Sequence, residues 1–255
     1  MPEYVRTSAG IALDYDLAGD GVPPMLFVHG WGCDRSSFAA QISYFRARHT
    51  VAALDLRGHG DSDQPAPQPG IYDVAAFVAD TLAVADAAGL DRPVIVGHSL
   101  GALVALACAA NPDLTRAAVM IEPALTLTED ARAFHPRFLS ALAADHDGSA
   151  RAAMASGLFL RTDTVGRKEI IAGIVALPAA IATAAWQAIA TFDGASALGE
   201  VQVPLLSISS GDAPAALREL CPGIVRGQTV GSGRFPQVQI PDQVNAMIDR
   251  FLLIN

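Results

Sequence analysis

Short apolar runs alternate along the chain with longer stretches whose apolar residues recur every three to four positions, a pattern that predicts βαβ units around a mostly parallel sheet. Residues 4–7 and 11–17 read as an opening antiparallel ribbon, Met25-Leu26-Phe27-Val28 as a buried strand, residues 36–46 as a helix and Val51-Ala52-Ala53-Leu54 as the next strand. Another helix follows Asp73: Val74, Phe77, Val78 and Leu82 fall at i, i+3, i+4 and i+8, and the Asp73 side chain is placed to cap the first turn. Pro93-Val94-Ile95-Val96 is a further strand, joined by a tight turn to an Ala/Leu-rich helix over 102–110, and Ala117-Ala118-Val119-Met120-Ile121 is the strand after that. The alternation stops after Glu122. Residues 123–198 carry almost no strand signal, only Ala-rich helical segments punctuated by Pro136, Gly148, Gly157, Gly166 and Pro178. They are expected to form an inserted helical cap, leaving residues 1–122 and 199–255 as the core. Strands return at Pro204-Leu205-Leu206-Ser207-Ile208 and over 224–230, and the last helix carries Val244, Met247, Ile248, Phe251 and Leu252 on one face. No internal repeat or low-complexity segment interrupts this order.

Composition narrows the picture. With 255 residues, 51% of them hydrophobic and 17% charged, the chain can bury one large core without disulfides. A net charge of −9 and the lack of any Lys/Arg run exclude a nucleic-acid or anionic-membrane surface and leave small molecules as the expected partners. Cys33, Cys108 and Cys221 are odd in number and lack Cys-x-x-Cys spacing, which argues against a disulfide scaffold or zinc site. Met1-Pro2-Glu3-Tyr4 has no basic n-region or apolar h-region, and no apolar run reaches the roughly 20 residues of a bilayer span, so the expected location is cytoplasmic. The oligomeric state is left open.

The candidate chemistry lies in the tight turn Gly97-His98-Ser99-Leu100-Gly101. Small residues two before and two after the serine permit a strained strand-to-helix turn that pushes Oγ outward, with the new helix's N-terminal N–H groups facing any developing oxyanion. Two more motifs follow strands: His29-Gly30-Trp31-Gly32 and Asp55-Leu56-Arg57-Gly58-His59-Gly60-Asp61-Ser62. With all three in place the chain resembles the α/β-hydrolase family over essentially its whole length.

That resemblance implies an eight-stranded, mostly parallel sheet flanked by helices, a cap roofing a pocket at the strand C-termini, and a triad in the order nucleophile, acid, histidine. It implies Ser99 as nucleophile and the backbone N–H groups of Trp31 and Leu100 as the oxyanion hole. Two carboxylates compete as the acid. Asp212 follows the strand near Ser209-Ser210, but with compressed spacing; Glu122 ends the preceding strand, a position that some branches of the family use. Either would orient an imidazole and stabilise its charged form. Apolar candidates for the pocket are Met154, Leu158, Phe159, Leu160, Ile181, Trp186 and Phe235, beside Gly30 and His98, and no metal or organic cofactor is implied.

The base is where the chain departs from the family. Val230-Gly231-Ser232-Gly233-Arg234-Phe235-Pro236 matches the stretch that carries the histidine, with Arg234 in its place. All six histidines precede residue 147. His29 and His59 belong to loop motifs, His98 to the turn itself, and His135 and His146 to the cap, where they are expected to be solvated. A guanidinium stays protonated and has no acceptor lone pair, so Arg234 cannot deprotonate Ser99. Three explanations follow: a disabled hydrolase of carboxylic esters or lactones with an apolar acyl or aryl part, a non-catalytic small-ligand binding protein on the same scaffold, or altered chemistry in which Arg234 pairs a carboxylate.

Overall fold

The computed structural model describes residues 2–255. Two strands open the chain, β1 (Pro2–Arg6) and β2 (Ala12–Ala18), followed by β3 (Met25–Val28), a short 3₁₀ turn (Arg35–Phe38), α1 (Ala39–Phe45) and β4 (Val51–Leu54). Then come α2 (Val74–Ala87), β5 (Val94–His98), α3 (Leu100–Cys108) and β6 (Ala117–Ile121). Five helices separate β6 from the rest of the sheet: α4 (Glu129–Ala143), α5 (Ser149–Gly157), α6 (Arg167–Ala176), α7 (Ala179–Thr191) and α8 (Gly194–Gly199). The chain closes through β7 (Leu205–Ser209), α9 (Ala215–Leu220), β8 (Val225–Gln228), α10 (Pro236–Gln239) and α11 (Pro241–Ile254). These strands form one eight-stranded sheet in the order β1-β2-β4-β3-β5-β6-β7-β8, antiparallel only at β1/β2 and β2/β4.

Strands buried on both faces need apolar residues at every position, which is why the central runs show no polar alternation. The pleat sends Leu26, Val28, Ile95, Ala118 and Met120 to one core and Met25, Phe27, Val94, Val96, Val119 and Ile121 to the other. The first core continues into α2, α3 and the cap; the second is covered by α1 and by Val244, Ile248 and Phe251 of α11. Each fully buried Leu, Ile or Phe contributes about 1.5–3 kcal/mol.

Local details depart from the sequence expectation. The segment expected as one helix over 36–46 is split, because Asp34 accepts from Ser36 N–H at 2.8 Å and starts a 3₁₀ turn before α1. Asp73 stands at the start of α2 without a side-chain cap; its backbone carbonyl takes the Ala76 and Phe77 amides instead. Pro136 does not punctuate the cap but lies inside α4, where it removes one helical hydrogen bond. Burial of His135, Phe138 and Leu142 along the same face outweighs that loss. Gly148, Gly166 and Pro178 do mark helix starts. The expected cap–core boundary at residue 198 falls within α8, which packs against α3 and α9. Among the described residues no single helix is long and apolar enough to cross a membrane, and all three cysteines are buried and free.

Candidate active site

Ser99 stands between β5 and α3 at φ 52°, ψ −107°, one of three non-glycine described residues with positive φ; the others are Arg92 and Glu122. A non-glycine residue held there carries about 1–3 kcal/mol of strain that its surroundings must enforce. The surroundings are specific. Ser99 N–H donates to the Ile121 carbonyl at 2.9 Å, and its own carbonyl accepts from Ala102 N–H at 3.1 Å. A Cβ on Gly97 would overlap the Gly101 backbone, and one on Gly101 would overlap the Val28 carbonyl, so the turn requires glycine at both positions. Ser99 lines a cavity of about 550 Å³ between sheet and cap.

The two candidate acids are placed differently. Glu122, at φ 48° just past β6, is 2% exposed and lines the same cavity. Its amide donates to Ile208 at 2.8 Å and its Oε1 accepts from Ser210 N–H, which binds the carboxylate to the end of β7. Its Oε2 lies 2.9 Å from Arg234 Nη1, yet no N–H is aimed at it, so the oxygen is ion-paired without a directed hydrogen bond. Asp212 is exposed, does not line the cavity and makes no side-chain hydrogen bond or ion pair with the described residues. The structure therefore brings Ser99, Glu122 and Arg234 to one cavity and leaves Asp212 outside it.

Arg234 is held by its backbone rather than its head group. Its N–H donates to Leu158 of the cap at 2.8 Å, its carbonyl accepts from His98 Nε2 at 2.8 Å, and its side chain is 54% exposed. The ring of His98 packs on Phe235 at 4.9 Å, and burial pushes its pKa down to about 4, so it is a neutral donor to that carbonyl. Gly30 is not part of the cavity wall. A Cβ there would stand 2.8 Å from His98 Nδ1 and 3.2 Å from Ser99 Cβ, so it is the clearance beneath the turn.

The other histidines divide as their surroundings dictate. His29 Nδ1 donates to Gly30 and its Nε2 accepts from Leu56 N–H, while His59 Nδ1 pairs with the Arg57 carbonyl. Burial pushes these two down to about 4 and about 3. His146 is exposed as expected; His135 is not solvated but 7% exposed, and it lines the cavity. Among the described residues no group of three His, Cys, Asp or Glu is arranged to hold a metal ion.

Trp31 lines the cavity, and its indole N–H donates to the Ala182 carbonyl of α7 at 2.9 Å, joining core to cap. Among the described residues the amides of Trp31 and Leu100 enter no turn, loop or cap hydrogen bond. Met154, Leu158, Trp186 and Phe235 line the walls. Phe159 stands behind them, stacked on Phe235 at 4.8 Å, while Leu160 is exposed and Ile181 packs against Gly58. Leu125, Phe134 and His135 also line the cavity and were missed in the sequence. Phe134 and Phe138, four apart on α4, were the available signal for an aromatic face there.

A family model described as alpha/beta hydrolase fold matches residues 23–216. Epoxide hydrolase 4 of Mus musculus is 38% identical over 104 residues, which is 40% of this chain and 29% of that protein. Pimeloyl-(acyl-carrier protein) methyl ester esterase of Neisseria meningitidis serogroup B is 40% identical over 113 residues, 44% of this chain and 40% of that protein. The chain thus spans well under half the length of these curated relatives. The enol-lactonase of Burkholderia xenovorans LB400 superposes with a TM-score of 0.86 over 98% of this chain and 100% of that one, at 20% identity, a likeness of fold.

Proposed function

Since the chain belongs to the alpha/beta hydrolase fold family, we propose that it is a serine-dependent hydrolase scaffold for carboxylic esters or lactones, inactive or strongly weakened because Arg234 holds the position of the base. The observation that carries this reading is the contact between Arg234 and Glu122 in the cavity that Ser99 lines. On this reading the buried Glu122 oxygen that no donor is directed at is the triad acid's acceptor for an imidazole N–H. The relatives named for ester and lactone hydrolysis are consistent with a neutral acyl substrate, as are the apolar walls.

In the active form of such a site, Ser99 Oγ adds to the substrate carbonyl while its proton passes to the base. The amides of Trp31 and Leu100 receive the oxyanion, the alcohol or lactone oxygen leaves with the proton, and water releases the acid from the serine ester. Arg234 supplies no acceptor for the first proton. Loss of a triad histidine costs on the order of 10⁶ in kcat, with about 10³ to 10⁴ over water left from the oxyanion hole and binding. The aromatic-walled cavity also supports the second reading, a small-ligand binding protein.

Hydrolysis of p-nitrophenyl esters and lactones by the native chain and by Arg234→His separates the two. A gain of about 10³-fold or more in kcat, abolished by Ser99→Ala, is expected of a disabled hydrolase. A folded Arg234→His variant that stays at background and resists a serine-directed phosphonate would overturn that reading in favour of binding.

A further inference from the structure

The cap presents two buried polar groups that the protein leaves unpaired. Among the described residues, five histidines are buried, and four of them make at least one hydrogen bond: His29, His49, His59 and His98. His135 on α4 makes none, at 7% exposure. The two tryptophans show the same contrast. Trp31 Nε1 has the Ala182 carbonyl, whereas Trp186 Nε1 on α7, 8% exposed, has no acceptor. The unpaired rings are neighbours, with centroids 5.6 Å apart, and both line the cavity that contains Ser99. Around them stand Phe134, Phe138 and Trp31, which offer no side-chain acceptor.

We infer that His135 and Trp186 form a polar subsite in the cap wall that takes a hydroxyl oxygen carried on the acyl part of the ligand. The inference rests on the reading of the cavity as an acyl pocket. A buried donor or acceptor left unpaired costs about 1–3 kcal/mol, and two adjacent ones in an aromatic wall mark a place where a ligand atom completes the set. The complement is specific. Burial lowers the imidazole pKa, so His135 is neutral with one donor and one acceptor nitrogen, and the indole is a donor only. A hydroxyl accepts from the indole N–H and donates to the imidazole lone pair, satisfying both, whereas a carboxylate has no proton to give the imidazole. Nδ1 and Nε1 are sealed from water in the empty cavity, so on this inference the ligand enters with rotation of both rings about χ2, a soft torsion.

The test is equilibrium binding to the native chain of a chain-length series of ω-hydroxy methyl ketones and their unsubstituted counterparts, which cannot be hydrolysed. Both tryptophans of the chain line the cavity, so their fluorescence reports occupancy. At one chain length the hydroxylated ketone should bind about tenfold more tightly, about 1.4 kcal/mol. The preference, read in each variant as the ratio of hydroxylated to plain ketone affinity, should vanish in His135→Phe and Trp186→Phe and persist in part in His135→Gln. Equal binding of both kinds at every length, or a preference that survives both Phe variants, would overturn the subsite and leave the acyl pocket standing. Failure of every ketone to bind would overturn the acyl pocket and the subsite together.

Discussion

Acidification from about pH 7 to about pH 5 should remove roughly 6 kcal/mol of folding stability, because three imidazoles are sealed in the core without charge. His29 and His98 are pushed down to about 4 and His59 to about 3, all by burial, from an ordinary value of 6.5. The unfolded chain therefore takes up protons first. Stability is full above the unfolded pKa, declines as pH falls through about 6.5, and continues to decline until the folded values are reached. Each histidine loses about 2 kcal/mol between pH 7 and 5, at about 1.4 kcal/mol per proton per pH unit. The three together lose about 4 kcal/mol by pH 5.5, against a typical total of 5–15 kcal/mol. The rings of His29 and His59 lie 5.2 Å apart, so their charges would also repel.

Asp14, Asp55 and Asp80 are raised by burial and act in the opposite direction, easing the loss at the acid end of the window. Urea unfolding at half-unit pH steps measures the slope, which should approach about 3–4 kcal/mol per pH unit between pH 6 and 5. His59→Gln should reduce it by about one third. A stability that changes by less than about 1 kcal/mol between pH 7 and 5.5 would show that these imidazoles are not held neutral, and the reasoning would fail.

Two further substitutions have defined outcomes. In an Arg234→His background, Glu122→Gln should cut kcat by about 10³ to 10⁴-fold while Asp212→Asn leaves it within about twofold, since only Glu122 lines the cavity; the reverse ranking in ester kinetics would transfer the acid role to Asp212. Asp80→Asn should destabilise by about 3–5 kcal/mol in denaturant unfolding, because it leaves the buried Arg57 guanidinium without the carboxylate that meets its Nε and Nη2 at 2.6 and 2.5 Å, and a loss below about 1 kcal/mol would contradict that account.

The sheet was legible because its central strands are wholly apolar and its turns carry glycines that nothing else can replace. Gly97 and Gly101 state the geometry of Ser99 before any coordinates do, since a side chain at either would strike backbone. The acid was not legible. Glu122 and Asp212 both follow strands, and it is tertiary structure that separates them: Glu122 lines the cavity and accepts from Ser210, while the 211–212 loop is exposed. The cap wall was illegible for another reason. Pro136 reads as a break yet sits inside α4, which hid the i, i+3, i+7 set His135, Phe138 and Leu142 that turns inward. α9 and α10, of six and four residues, are too short for any helical period to register.

What the folded chain maintains at this one cavity bears on which explanation of Arg234 holds. Among the described residues two of the three non-glycine positions with positive φ, Ser99 and Glu122, line it, as do Glu122, His98, His135 and Trp186, each with a buried polar atom that makes no hydrogen bond. Strain of about 1–3 kcal/mol per residue and a similar sum per unpaired group are large beside a total stability of 5–15 kcal/mol. An inert wall would shed that load by relaxing the turn or closing the cavity with aliphatic side chains. Here the turn is fixed instead by the Ile121 carbonyl and two obligatory glycines, and Glu122 by the Ile208 carbonyl of β7 and the Ser210 amide just past it. These restraints come from the sheet, independently of residue 234, whose own loop is anchored by its backbone to Leu158 and His98. A single side-chain exchange at 234 therefore changes the proton chemistry without disturbing the frame, which is the physical basis for expecting Arg234→His to recover turnover rather than to require a rebuilt site.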